Sequence, residues 1–390
     1  PYWTSALYYT STMSKDHNFN YVELFSGCGG MSLGLESAGF TRLLANEISP
    51  MAAETFAYNL VRGARKDGMI NPKKPDSWCN YFNFLADSPV EEGVEIDEKS
   101  YRDWRSHRSP DLELDGTLKV EGKLKRLLTK GLEPNLIVGD VSKLADILEQ
   151  LKGRGGHNLW KGFRDLHVLA GGPPCQSFSL AGKRQRDHPR NKLFLSFVRI
   201  ASVLQPKVVL FENVVGITKS FRDEEGKEWH PWFEVCRAFR KKGYIPIPSL
   251  VNAACFGVPQ ARPRFIMVGL REDVANDLER VVGGTLADAI KLGRRSYGSE
   301  AKWRDGDDRE LIYRHKSELD RKRWPSTLFP SPMEDDDKKN SVDDAIRDLI
   351  GVDSGNSFDQ GAYSAELDKL LKRPVWLPAP KGIKNHSFRN

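Results

Sequence analysis

The sequence predicts an α/β fold with a mostly parallel, doubly wound sheet. Short apolar runs recur along the chain, and several end on an acid, a glycine or a cysteine. Stretches with helical spacing separate them, and a glycine-rich turn follows the first. Strands joined by helices run parallel and are covered on both faces, so they read as continuous apolar runs.

Tyr21 to Phe25 is the first strand. Gly27-Cys28-Gly29-Gly30 turns the chain, and Met31 to Ala38 carries apolar residues at helical spacing. Arg42 to Ala45 is a second strand, ending at Asn46-Glu47. Ser49 is the expected cap of the next helix, with Pro50 at its first position. Periodicity fails from about Leu60 to Pro134, so residues 61–133 read as an irregular insertion, with Trp78 and Trp104 as its only anchors. Asn135 to Val138 resumes the sheet, ends at Gly139-Asp140 and leads into a helix through Leu151.

Leu166 to Ala170 is the next strand, and Gly171-Gly172-Pro173-Pro174-Cys175-Gln176 follows it. Leu193 to Leu204 is helical, and Lys207 to Phe211 is a buried strand ending at Glu212-Asn213. Trp232 to Lys242 is an amphipathic helix. Tyr244 to Asn252 alternates as a strand, and Phe265 to Gly269 is another. Beyond Arg271 the pattern weakens. The charge run Glu334 to Lys339 marks a solvated linker, and Ser341 to Ile350 is one amphipathic helix. These readings divide the chain into an amino-terminal extension (1–12), a main α/β domain (13–270) and a linker opening a further region (271–390).

Of the 390 residues, 39% are hydrophobic and 29% charged, with a formal net charge of +6. That balance permits a polyanionic partner without demanding one. No apolar run approaches the roughly 18–20 residues of a membrane span, and no signal peptide is visible. The five cysteines are odd in number, scattered and free of CxxC pairs, so neither a disulfide framework nor a metal site is expected. A reducing, intracellular setting follows.

The chemistry gathers at strand ends. Glu47, Asp140, Cys175 and Glu212 each follow a short apolar run, and in such sheets ligands bind at the carboxyl ends of the strands. The prolines before Cys175 stiffen its loop, which suits a nucleophile and equally an inert thiol at a tight turn. The glycine turn lets backbone approach a ligand, with a helix amino terminus behind it. Glu47 stands 20 residues after Gly27, the offset at which an acid meets ribose hydroxyls. NAD, FAD and S-adenosylmethionine all fit, but the full GxGxxG is lacking, so a nucleoside cofactor without a pyrophosphate suits it better. Gln260, Arg262 and Arg264 alternate, which in extended chain places all three on one face; ion pairing with surface acids is the bland alternative. The basic loop Lys183 to Arg190 reads either as a phosphate contact or as a solvated loop. His188 and His230 are expected in exposed loops, His167 in a structural role, and Cys236 and Cys255 as packing thiols. Cys79 has no visible partner.

In order, ELFSGCGG, NE after the second strand, GD after the third, GGPPCQSFS, FENV and NAACFGVPQARPR span Tyr21 to Leu270. With this ordered set the chain resembles the DNA (cytosine-5)-methyltransferase family. The resemblance implies a Rossmann-like, S-adenosylmethionine-dependent fold and a reaction on a cytosine flipped out of double-stranded DNA. It implies that Cys175 attacks cytosine C6 as thiolate, that Glu212 engages N3 and the exocyclic amine, and that Arg264 holds O2, with Arg262 supporting the loop or the phosphates. Phe25, Ser26, Gly27, Cys28, Gly30, Glu47, Ile48, Asp140, Val141, Gly172 and Leu193 would line the cofactor site. Pro174, Gln176, Ser179, Asn213, Val214 and Gln260 would face the substrate.

The chain also departs from the family. Asn191-Lys192 stands where members commonly carry glycine, and neither an RE-x-x-RLQ nor a GNAVP-like segment is found. Asn385-His386 resembles the point just before the recognition region. The chain therefore reads as the amino-terminal catalytic portion of a longer enzyme, or as one half of a split enzyme with a complementing C-terminal subunit. The implied setting is bacterial restriction–modification in the nucleoid-associated cytoplasm. The rivals are an RNA cytosine-C5 methyltransferase, and a truncated fragment that binds cofactor or a partner without methylating. A nicotinamide oxidoreductase would leave Pro-Pro-Cys-Gln, Glu212 and the arginine pair without a task.

Overall fold

The computed structural model describes residues 19–61, 83–84, 135–153, 163, 165–174, 193–222, 228–298, 307–315 and 318–329. Cys79, Cys175, Gln176, Ser179, His188, the basic loop 183–190 and the expected helix 341–350 lie outside the described residues. The chain divides into two compact units, residues 1–139 with 156–169, and residues 140–155 with 170–390.

The first unit holds β1 (Asn20–Leu24), α1 (Gly30–Ser37), β2 (Thr41–Glu47), α2 (Pro50–Leu60), β3 (Asn83–Phe84) and β4 (Leu136–Val138). Its strand order is β3-β4-β2-β1, and each of these pairs is parallel, as helical crossovers require. Ser49 caps α2 by accepting from the Ala52 amide, and Pro50 opens the helix. Phe56, Ala53 and Ala57 on α2 pack with Ala45, Leu136 and Val138 on the strands. Truncating Phe56 to alanine in such a cluster would cost about 3–5 kcal/mol. The pair Asn83–Phe84 extends the sheet beyond β4, within a stretch whose sequence shows no period.

A buried polar network braces this unit. The Arg42 guanidinium pairs with Glu36 at 2.5 Å, donates to Asn135 at 3.2 Å and to the Leu60 carbonyl at 2.8 Å, and stacks over the Phe56 ring. Tyr21 donates its hydroxyl to the same Glu36 oxygen. One buried cation thus ties β2 to α1, to the end of α2 and to the residue opening β4. His167 is structural as expected: its amide and Nδ1 meet the Asn20 side chain, and its ring meets Phe19 edge-on.

β5 (Val168–Gly171) leads into the second unit, which continues with α3 (Val141–Gly153), α4 (Leu193–Leu204), β6 (Val208–Val214), the short hairpin β7 (Phe221–Arg222) and β8 (Glu228–Trp229), α5 (Pro231–Arg240), β9 (Tyr244–Asn252), β10 (Pro263–Arg271), α6 (Glu272–Val281), α7 (Gly284–Ser296), α8 (Asp307–Leu311) and α9 (Glu318–Arg323). Here the order is β6-β10-β9, and β10 runs antiparallel to both neighbours. Residues 253–262, with one 3-10 turn at Ala253–Phe256, are too short for a helical crossover, so β9 and β10 pair as a hairpin. The fold class is accordingly α/β with a mostly parallel sheet.

Four helices fall past Arg271 among the described residues, where the sequence pattern had weakened, and the first two build core. Leu286, Ala289 and Ile290 of α7 and Ala275 of α6 join Ile245, Ile247, Val268 and Leu270 in one core. His230 also departs from expectation, for it is buried. Its carbonyl accepts from the Phe233 and Glu234 amides at the start of α5, and its Nε2 lies 3.8 Å from Glu228. His230 is the N-cap of α5, and the buried Pro231 and Trp232 that open the helix draw it inward with them. Among the described residues no helix is long and apolar enough to cross a membrane, and no cluster of metal-ligating side chains occurs.

Candidate active site

In the first unit the glycine turn after β1 carries five of the eleven expected cofactor residues. Phe25 has φ 56°, a left-handed conformation that a bulky residue rarely adopts and that tends to mark functional turns. Gly29 has φ 92°, and a Cβ there would strike Phe56 and Leu60 of α2, so both backbone and packing demand glycine. The Ser26 amide donates to Asn46 at 3.0 Å and the Gly29 amide to Ser26 at 2.9 Å, which folds the turn back onto β2.

Glu47 at the end of β2 locks this arrangement. Its Oε2 accepts from the Gly27 amide at 2.6 Å and its Oε1 from the Ser49 amide at 2.8 Å, charge-assisted bonds that fix the carboxylate. Ile48 follows it, Gly30 opens α1, and Cys28 is exposed. The Ser26 hydroxyl is buried with no hydrogen-bond partner, and Gly29 offers α1 no side-chain cap. A fixed carboxylate, an unpartnered hydroxyl and an uncapped helix amino terminus fit a hydroxylated nucleoside ligand.

Behind the turn, Glu23 of β1 is almost fully buried and bonded to the Ser32 hydroxyl of α1. Burial raises its carboxyl to about 7, against a smaller opposing effect of Ser32.

In the second unit the residues around β5, β6 and β10 converge. The Arg264 Nε lies 2.8 Å from Glu212 Oε1. The other oxygen of Glu212 lies over Gly172, where a Cβ would approach it to 2.7 Å. Asn213 is buried; its Nδ2 donates to the Pro173 carbonyl at 3.2 Å and its Oδ1 accepts from the Val214 amide at 2.8 Å. Pro174, half-buried, is the last described residue before Cys175. Gly172, Pro173, Glu212, Asn213, Val214 and Arg264 are therefore held together by direct contacts or strand pairing. Asp140 accepts from the amide and hydroxyl of Ser142 at 2.8 Å each, and with Val141 starts α3. Leu193 opens α4.

The alternation of Gln260, Arg262 and Arg264 does not place all three on one strand face. Only Arg264 lies within β10; Gln260 and Arg262 are exposed in the connection before it. The cause is the proline at 263, which begins the strand and lacks an amide to extend the ladder backwards. Sequence reasoning also passed over Asn252, whose side chain joins the two ends of that connection. A short amide at a strand end before a tight turn was the available signal.

The sequence matches the family model for C-5 cytosine-specific DNA methylase over residues 19–82 and 142–341. The type II methyltransferase M.XorII of Xanthomonas oryzae pv. oryzae is 43% identical over 253 residues, covering 64% of this chain and 40% of the relative. The type II methyltransferase M1.HphI of Haemophilus parahaemolyticus is 28% identical over 279 residues, covering 70% of this chain and 52% of the relative. Among solved structures, the S. pombe Dnmt2 methyltransferase covers 66% of this chain and 50% of its own at 17% identity and a TM-score of 0.33, too low to carry an argument. The chain spans about half the length, or less, of these two curated relatives. Because the family model covers more than half of its residues, this chain belongs to the C-5 cytosine-specific DNA methylases.

Proposed function

We propose that the chain is the catalytic portion of a restriction–modification enzyme that methylates C5 of cytosine in double-stranded DNA. The observation that carries this reading is the Glu212–Arg264 pair, held beside the segment that leads into Cys175. S-adenosylmethionine supplies the methyl group as an electrophile when bound. Phe25, Ser26, Gly27, Cys28, Gly30, Glu47 and Ile48 of the first unit are the residues proposed to hold it, while for Asp140, Val141, Gly172 and Leu193 a cofactor role rests on the family resemblance alone. The fixed Glu47 carboxylate and the buried Ser26 hydroxyl support that assignment.

On the substrate side, cytosine C5 is a poor nucleophile until C6 is attacked. The Cys175 thiolate adds to C6, and the electron pair displaced onto N3 is neutralised by a proton delivered from the Glu212 carboxyl, while Arg264 donates to O2. C5 would then take the methyl group as its bond to the donor's sulfur breaks; C5 loses its proton to a base, the thiolate leaves C6 as the C5–C6 double bond re-forms, and N3 returns its proton to Glu212. Every atom added to C6 departs again, so Cys175 is regenerated. Arg262 and Gln260 would meet the DNA backbone or the bases beside the flipped cytosine, a role that their exposure ahead of β10 supports. Pro174, Gln176, Ser179, Asn213 and Val214 complete the proposed substrate side.

The test uses DNA carrying 5-fluorocytosine and labelled S-adenosylmethionine. Fluorine at C5 blocks the final elimination, so a denaturation-stable adduct at Cys175 is expected, and none with Cys175→Ala. An adduct at another residue, or methyl transfer surviving in Cys175→Ala, would overturn the reading.

A further inference from the structure

Residues 253–262 connect β9 to β10 and carry Val258, Gln260 and Arg262 exposed to solvent. One side chain closes this connection at its base. The Oδ1 of Asn252 accepts from the Ala254 amide at 3.3 Å and from the Arg262 amide at 2.9 Å. The Ala253 amide adds a bond to the Arg262 carbonyl at 3.1 Å. Asn252 ends β9 and pairs in register with Pro263, the first residue of β10. At that rung the backbone groups face away from the partner strand, as the outward bond from the Leu250 amide to the Tyr313 carbonyl shows two residues earlier. On the next rung the Arg262 amide is taken by the Asn252 side-chain oxygen, and the same atom caps the 3-10 turn.

We propose that Asn252 is a positioning residue for methyl transfer: its clasp fixes the backbone entering β10, and with it the alignment of Arg264 on Glu212. The inference rests on the function proposed above. Arg264 stands two residues beyond the clasped Arg262 amide, and its Nη1 is bonded to the Pro263 carbonyl at 2.8 Å. The remaining backbone bonds of the connection, from Val258 to Ala253 and from Gln260 to Val258, lie inside it and leave its junction with β10 to the clasp and the single Ala253–Arg262 backbone bond. Asn252 itself touches neither the proposed substrate nor the cofactor; it acts through the backbone.

Both clasp bonds are accepted by one oxygen, and this makes the role separable from general packing. Aspartate presents the same acceptor on the same stem, whereas alanine presents none. In the protein that carries this chain, Asn252→Ala is expected to speed amide exchange at Ala254 and Arg262 about tenfold. It should also lower kcat/KM for DNA about tenfold, while the affinity for S-adenosylmethionine stays at the wild-type value. Asn252→Asp should restore both. If Asn252→Ala folds poorly, Asn252→Ser, a shorter acceptor that still caps the turn, serves in its place. Unchanged exchange at Arg262 in the alanine variant would dismiss the clasp. Faster exchange with unchanged kcat/KM, or a loss that aspartate does not restore, would dismiss the positioning role. Failure of the functional reading is visible separately, as absence of cytosine methylation by the unsubstituted protein, and the exchange arm still decides the clasp.

Discussion

Arg264 and Glu212 form an ion pair at 2.8 Å although they are not opposite one another in the sheet. In the β6–β10 ladder Arg264 stands opposite Val214 and Glu212 opposite Ile266, so the two are diagonal neighbours, within reach of long side chains. Both side chains remain partly exposed, at 19% and 27%, and water screens the attraction. Such a pair contributes about 0–1 kcal/mol to folding. Its geometry serves the rim of the sheet more than the stability of the unit.

The first prediction follows from that imbalance. Glu212→Ala should change unfolding free energy by less than about 1 kcal/mol. The same variant should lower methyl transfer by roughly 10²–10⁴-fold, the range for removing a positioned acid–base group. Arg264→Ala should behave alike, and the double variant should lose less than the product of the single losses because the groups act together. Denaturant titration and single-turnover kinetics measure the two effects. A multiplicative loss in the double variant would mean that the pair does not act as a unit.

Gly172→Ala isolates the other side of the same carboxylate. A Cβ at residue 172 would approach Glu212 Oε2 to 2.7 Å, and the Glu212 backbone carbonyl to 3.5 Å. The close neighbour is the end of a flexible side chain, so the fold can yield by swinging the carboxylate aside. Arg264 holds the opposite oxygen, and the swing breaks that alignment. The variant should therefore fold with a midpoint close to wild type and lose methyl transfer by about tenfold or more, consistent with small misplacements of reacting groups. A cooperative loss of folding with full specific activity in the surviving fraction would contradict this.

The elements of both units were legible wherever strands are short, apolar and bounded by turn residues. Leu193–Leu204 is a helix with the bounds its periodicity gave, and Ser49 and Pro50 start α2 as their chemistry requires. The convergence of Gly172, Glu212 and Arg264 was foreshadowed because strand ends share a rim whatever the intervening chain does. Other features depend on tertiary partners. Asn83–Phe84 is too short to show a period and exists because β4 offers it a ladder. His230 reads as a loop residue until α5 carries its neighbours into the core. The amphipathic spacing of α6 and α7 is diluted by surface charge, and only the edge strand β9 reveals which face is apolar. Gln260 and Arg262 alternate with Arg264 in sequence, but Pro263 decides where the strand begins.

Ser26→Ala tests the cofactor turn without disturbing its backbone. The hydroxyl is buried and unpartnered, so removing it relieves an unsatisfied polar group and should leave stability unchanged or raise it by about 1 kcal/mol. If that hydroxyl meets a ligand, the same change weakens S-adenosylmethionine binding by several-fold, readable by calorimetry on the protein without DNA. Equal affinity in the two proteins would remove Ser26 from the proposed cofactor set.

Glu23→Gln carries a prediction in pH. Burial raises the Glu23 carboxyl to about 7 in the folded chain, from 4.5 as its ordinary value. Between those two pH values the folded protein holds a proton that the unfolded chain has released, so the unfolded state binds fewer protons and stability falls as pH rises. The contribution is fully present below about pH 4.5, declines through about pH 7 and is constant above it. A shift of this size corresponds to about 3 kcal/mol across the window. Asp273 titrates in the opposite sense, because the Arg271 guanidinium lowers it to about 2, and its stabilisation is lost only as pH falls well below this window. Glutamine keeps a partner for the Ser32 hydroxyl and carries no charge at any pH. Glu23→Gln should therefore match the wild type near pH 4.5 and exceed it in stability above pH 7. The difference between the two denaturation curves, taken at half-unit steps, isolates this one group from all other titrations. Parallel curves from pH 4.5 to 8 would show that Glu23 is ionised in the folded protein at its ordinary pH, and that the buried bond to Ser32 outweighs the cost of burying its charge.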